Sequence, residues 1–143
     1  MTTADDTRIT ADALRAEVAR RFGTPAAGVR VVRVPYRVCL LGAHIDHQLG
    51  PVTAMALDRS LLLAYASSPE PEVRADSLDF PDRVQFRLAD VPPRRGDWGD
   101  FPRGAALALQ GPYRLGRGIV GVVAGKLHGG RSEEHTSELQ SPA

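Results

Sequence analysis

The longest uninterrupted apolar run in this sequence, Leu61 to Ala66, is six residues, and Ile119 to Ala124 equals it across a single glycine. That length suits a buried strand and falls far short of the roughly 20 residues that a bilayer crossing needs. The chain is therefore expected to fold around a sheet, with no membrane span. At 143 residues, 43% apolar and 24% charged, it predicts one domain with a single core, and the composition excludes a disordered tail. The N-terminus, Met1-Thr2-Thr3-Ala4-Asp5-Asp6, lacks the basic-then-apolar order of a secretory signal, and the lone Cys39 has no internal disulfide partner. Both features predict a reduced, cytoplasmic setting. A net charge of +1 with scattered arginines points to neither a nucleic-acid surface nor an acidic partner, and so to a small ligand.

Thr10 followed by Ala11 to Phe22 and Gly23 predicts a capped helix, with Leu14, Val18 and Phe22 at helical spacing and glycine to end it. Val29 to Val34 reads as a partly exposed strand that Pro35 interrupts, feeding a loop. Thr53 to Asp58 and Leu61 to Ala66 read as two buried strands, while Glu72 to Ser77 and Arg83 to Leu88 alternate like antiparallel strands. After the proline-rich Val91 to Gly96, Asp100 is placed to cap a helix from Phe101 to Gln110, closed by Gly111-Pro112; Ile119 to Ala124 adds a core strand. These elements predict a mixed sheet and an α/β (α+β) fold.

The densest polar chemistry lies in Pro35 to Gly50, where Arg37, His44, Asp46 and His47 crowd a glycine-bounded turn between apolar strands. Buried polar groups need partners, so such a turn holds either a satisfied structural network or a ligand site. The residues alone leave both open. A metal reading takes His44, Asp46 and His47 as ligand types, but zinc takes three or four protein ligands and only His128 remains outside the tail, so no metal site is expected. Cys39, between Val38 and Leu40, is expected to be a small buried packing residue rather than a nucleophile.

The last residues depart from the style of the rest. Lys126 is the only lysine among 18 basic residues, in a body rich in Ala, Arg, Gly, Pro and Val. Arg131 to Ser141 resembles the in-frame translation of a common sequencing adapter, so residues 131–143 are expected to be foreign and the natural chain to continue past Gly130. Without that tail, which sets Arg131 against Glu133, Glu134 and Glu138, the balance is 17 basic to 14 acidic residues.

The segment Pro35-Tyr36-Arg37-Val38-Cys39-Leu40-Leu41-Gly42-Ala43-His44-Ile45-Asp46-His47-Gln48-Leu49-Gly50 resembles the signature of galactokinase-type sugar kinases, in the GHMP kinase superfamily that includes homoserine and mevalonate kinases. Pro35, Arg37, Val38, Leu40, Gly42, His44, Asp46 and Gly50 match that signature. Tyr36, Cys39, Ala43 and His47 depart from it, and these departures look like the galacturonokinase branch. Val52 to Met55 and Trp98 to Ala105, followed by Ala108-Leu109-Gln110, resemble the same branch. The resemblance implies that residues 1–130 are an incomplete N-terminal α/β domain, ribosomal-protein-S5-domain-2-like, with a mixed sheet, packed helices and a sugar-binding signature at 35–50.

The resemblance also implies roles. His44 and Asp46 match residues that bind ring hydroxyls, and Ala43 stands where galactokinases hold the sugar 6-hydroxyl with glutamate. If the substrate carries a C6 carboxylate, a glutamate about 4 Å away would oppose it by about 4 kcal/mol at an effective dielectric of 20, a penalty that alanine removes. Tyr36 offers a hydroxyl donor to such an acid group. Arg37 matches an arginine beside the reacting 1-hydroxyl, where a permanent guanidinium steadies phosphoryl charge. Trp98 matches an aromatic near the adenine pocket, and His47 replaces a family tyrosine. The implied function is ATP-dependent phosphorylation of galacturonate at the 1-hydroxyl, with ATP and Mg2+ as cofactors. Lys126-Leu127-His128-Gly129-Gly130 resembles the approach to a phosphate loop; that loop, the magnesium ligands and the catalytic aspartate are absent from the 143 residues, so this chain alone is expected to be inactive. Galactose or a related sugar as substrate, a non-catalytic sugar-binding relative, and a metal-dependent hydrolase built on His44, Asp46 and His47 stay open beside it.

Overall fold

A computed structural model of the chain describes residues 9–42 and 48–125. The first helix, α1 (Ala11–Phe22), begins and ends as the sequence predicts: Thr10 Oγ1 accepts from Ala13 N at 3.2 Å, and Gly23 takes the left-handed conformation at φ 67°. Its Leu14 and Val18 are fully buried.

Five strands form one sheet: β1 (Arg30–Leu41), β2 (Thr53–Ser68), β3 (Glu72–Ser77), β4 (Val84–Arg87) and β5 (Gly118–Ala124), in the order β1-β2-β5-β3-β4. β3 and β5 run parallel while the other pairs are antiparallel, so the sheet is mixed and the fold α/β, as expected. A second helix, α2 (Asp100–Gln110), precedes β5.

The sheet divides the expected single core in two. On one face α1 lays Leu14 and Val18 against Ala64, Ala66, Val120, Val122 and Ala124. On the other, Val73, Val84, Phe86 and Leu88 pack with Ala106 of α2 and with Trp98, Leu115 and Ile119. Arg21 of α1 and Arg83 are joined through the buried Asp76 of β3, whose carboxylate accepts from Arg83 at 2.7 and 2.9 Å and from Arg21 at 3.1 Å. Those guanidinium donors, Arg83 foremost, hold the Asp76 carboxyl below its ordinary range against the opposing effect of burial.

Two expectations are corrected along the first hairpin. Pro35 does not end a strand: β1 runs on to Leu41, and only its register with β2 shifts between Pro35 and Arg37 and again between Cys39 and Leu41. β1 is an edge strand, where a missing N–H faces no neighbour and proline is tolerated. Thr53 to Asp58 and Leu61 to Ala66 are one strand of 16 residues, and its first part is exposed rather than buried. The reason is the extent of β5, which pairs with β2 only from Leu62 to Ser68. Beyond that point β1 and β2 continue as a two-stranded arm.

Candidate functional site

The signature strand places Tyr36 at the root of this arm. At the register shift its ring turns toward the end of β5, and its hydroxyl is buried without a hydrogen-bond partner among the described residues. Gly125 is what leaves it room: a Cβ on that residue would stand 2.6 Å from Tyr36 Oη and 2.8 Å from Leu61 Cα. Burial first, and the charge of Asp79 second, push the phenol above its ordinary pKa of 10.0, so it keeps its proton and stays a donor.

Arg37 follows on the arm, opposite Ala56, exposed and with no ion pair among the described residues. Cys39 is half-buried rather than the buried packing residue expected, and its Sγ donates to Leu41 O at 3.3 Å. A two-stranded arm has too little cover to enclose it. Gly42, at φ 85°, turns the chain out of β1. Ala43, His44, Asp46 and His47 lie outside the described residues. Among the described residues no group of three or more His, Cys, Asp or Glu side chains converges as metal ligands.

Trp98 belongs to a second locus, against the core that α2 covers. Its Nε1 donates to the carbonyls of Pro81 and Asp82 at 3.2 and 3.3 Å, which fixes the ring against the second core. Beside it opens a hollow of about 660 Å³ with Phe80, Trp98, Phe101 and Leu107 in its walls and Arg94 at its margin. Phe101 is 83% exposed, an aromatic face open beside the hollow.

The hollow is built on a charged clamp. Arg103, 5% exposed, donates to Asp97 at 2.8 and 3.0 Å and to Asp100 at 2.6 Å. Asp100 does not cap α2 as the sequence suggests. It is the first residue of the helix after Gly99, and its carboxylate reaches back to accept from the amides of Arg95 and Gly96 at 2.9 and 2.8 Å. Those amides, with Arg103, hold Asp100 low, and Arg103 does the same for Asp97. The proline-rich segment is thereby tied to the helix and shapes one wall of the hollow.

Tyr36 and Trp98 are thus on separate loci, and the residues that relate them are ones the sequence reading passed over. Asp79 Oδ2 accepts from Gly125 N at 2.7 Å, and the adjacent Phe80 lines the hollow. Their only sequence signal is turn chemistry, Ser77-Leu78-Asp79 after an alternating strand.

Comparison with known proteins agrees with the resemblance. The galactokinase galactose-binding signature matches residues 19–67, a span covering β1 and most of β2. The chain is 34% identical over 132 aligned residues to a galacturonokinase of Arabidopsis thaliana, covering 80% of this chain and 31% of that protein. It is 39% identical over 89 residues to a galactokinase of Chloroflexus aurantiacus, covering 62% of this chain and 22% of the relative. The chain therefore spans about a third or less of the length of these relatives. In fold it is similar to Lactococcus lactis galactokinase, solved in complex with galactose, at a TM-score of 0.71 and 23% identity, over 79% of this chain and 30% of that one. It is also similar to Methanococcus jannaschii mevalonate kinase, at a TM-score of 0.54 and 17% identity, over 72% of this chain and 34% of that one.

Proposed function

We propose, for a chain that belongs to the galactokinase family of GHMP kinases, that the complete protein phosphorylates an acid sugar, galacturonate, at its 1-hydroxyl. The observation that carries the acid-sugar reading is the identity to galacturonokinase along 80% of the chain. The residues of the signature support it: Ala43 removes a carboxylate from the place where the resemblance sets the sugar's sixth carbon, and Tyr36 keeps a protonated hydroxyl with no acceptor among the described residues. His44 and Asp46 are assigned to ring hydroxyls.

ATP with magnesium would supply the phosphoryl group. The hollow suits its base, because flat aromatic walls at Trp98, Phe80 and Phe101 offer stacking faces and Arg94 a cation at the margin. Arg37 has the chemistry for the transfer itself. A guanidinium engaged in no ion pair among the described residues can steady charge on the transferring phosphoryl and on a neighbouring carboxylate. The sugar's 1-oxygen bonds to the γ-phosphorus as the bond to the leaving ADP breaks, and the hydroxyl proton passes to a general base, for which the resemblance implies an aspartate. Replacing Arg37 with alanine in the complete protein is expected to lower turnover about a hundredfold, the usual effect of losing one charge-stabilising donor.

The test is the ratio of kcat/KM for galacturonate to that for galactose, measured on the complete protein. A ratio above one supports the acid-sugar reading, and a ratio below one moves the assignment to galactose, a reading favoured by the 39% identity to the Chloroflexus galactokinase. The same proposal takes 131–143 as foreign and the 143-residue chain as inactive, in a cytoplasmic protein whose partners are a small sugar acid and ATP rather than nucleic acid or membrane. Reading the source gene across codon 130 tests the first point, and a phosphate-transfer assay on the chain tests the second.

A further inference from the structure

Three parts of the molecule meet at one turn. Ser77 closes β3, and its hydroxyl accepts from the amides of Asp79 at 3.1 Å and Phe80 at 3.2 Å. Leu78 N donates to Val123 O at 2.9 Å, which ties the turn to β5. From this turn Asp79 takes the Gly125 amide at 2.7 Å, while the next residue, Phe80, forms a wall of the aromatic hollow. Gly125 in turn lies under Tyr36 of the signature strand.

The Gly125 amide lies one residue past the last pair that β5 makes with β2, Leu62 with Ala124, so the sheet offers it no acceptor. A carboxylate is the strong substitute, because a charge-assisted bond is short and directional. Asp79 is exposed, so water competes with the contact and its worth lies in direction more than in stability. We infer that Asp79 is a positioning residue, whose bond to Gly125 at the exit of β5 fixes the turn that carries Phe80 and so the wall of the Phe80–Trp98 hollow. Its consequence for turnover rests on the kinase reading above; the anchor itself does not.

The experiment uses the complete protein as wild type, Asp79→Asn, Asp79→Ala and Gly125→Ala. Amide hydrogen exchange is followed in the peptide containing Gly125, and KM is measured for ATP and for galacturonate. In Asp79→Ala exchange is expected to rise about tenfold and the KM for ATP about tenfold, in line with the loss of one charge-assisted hydrogen bond, with the KM for galacturonate within about twofold. Asp79→Asn, whose amide oxygen still accepts, is expected to restore both. Gly125→Ala leaves Asp79 in place but drives a methyl into Tyr36 and Leu61, and is expected to raise the KM for ATP as well; it serves if Asp79→Ala does not fold. Unchanged exchange in Asp79→Ala overturns the anchor. Faster exchange with both KM values unchanged, or raised alike, overturns the positioning role. A wild type that transfers phosphate to no sugar overturns the kinase reading and the ATP consequence drawn from it, and the exchange comparison then upholds or overturns the anchor by itself.

Discussion

The packed half of the sheet and the arm that leaves it are built from similar residues and behave as different materials. Where β5 lies between β2 and β3, Ala64, Val122 and the α1 residues Leu14 and Val18 are fully buried. From Val31 to Leu63 no described residue is buried, although Leu40, Leu41 and Met55 are as apolar as anything in the core, at 58, 72 and 50% exposed. The difference is neighbours: a strand flanked on both sides and covered by a helix excludes water, and a two-stranded ribbon does not. Stability therefore resides in the half that lies outside the polar segment Pro35 to Gly50. The described part of that segment, Pro35 to Gly42, sits on the ribbon, where most side chains stay exposed.

Substitutions break this comparison most strongly in the core. Leu14→Ala removes a fully buried side chain from the face between α1 and the sheet, and is expected to cost about 2–5 kcal/mol, read as a lower urea midpoint at unchanged slope. Asp76→Ala comes next. It leaves the Arg21 and Arg83 donors without their shared acceptor, for an expected loss of about 1.5–3 kcal/mol. The same carboxylate gives the fold an acid limit. Because its folded pKa lies below the ordinary 3.8, its contribution is complete above that value and is lost as pH falls through the folded value. Acid titration of stability is expected to drop steeply below about pH 4 in wild type and less steeply in Asp76→Asn; equal slopes would remove Asp76 from the account.

The packed half was also the legible half. Helical spacing with Thr10 and Gly23 marks α1, and alternation gives β3 with the bounds observed, because periodicity reports on faces that really are buried. The arm misleads for the same reason. Thr53 to Asp58 has the composition of a core strand, but composition cannot reveal that β5 stops pairing at Leu62. Pro35 looks like a strand end because nothing local says that β1 lies at the sheet edge. Of the candidate residues, Arg37 stood out in the polar turn by itself, while Tyr36 and Trp98 were legible only through the resemblance. Asp79 was legible only as a turn residue: its partner Gly125 is 46 residues away, and the pairing exists only once β3 and β5 run side by side.

The smallest expected effects lie on the arm, and they sharpen the contrast. Leu40→Ala is expected to stay within about 0.5 kcal/mol of wild type, since the leucine is already 58% exposed. Tyr36→Phe is the more telling change, because its hydroxyl lies where the arm meets the end of β5, beside Gly125. A buried hydroxyl without a partner disfavours the folded state, so removing it while keeping the ring is expected to leave stability unchanged or raise it, by up to about 1 kcal/mol. If that hydroxyl serves the sugar acid, the complete protein loses affinity for galacturonate by about tenfold, the worth of one hydrogen bond to a charged group, while galactose is handled as before. Stability and substrate affinity then move in opposite directions on a single atom. A loss of stability in Tyr36→Phe would show instead that the hydroxyl is satisfied within the fold, and the acid group would need another donor.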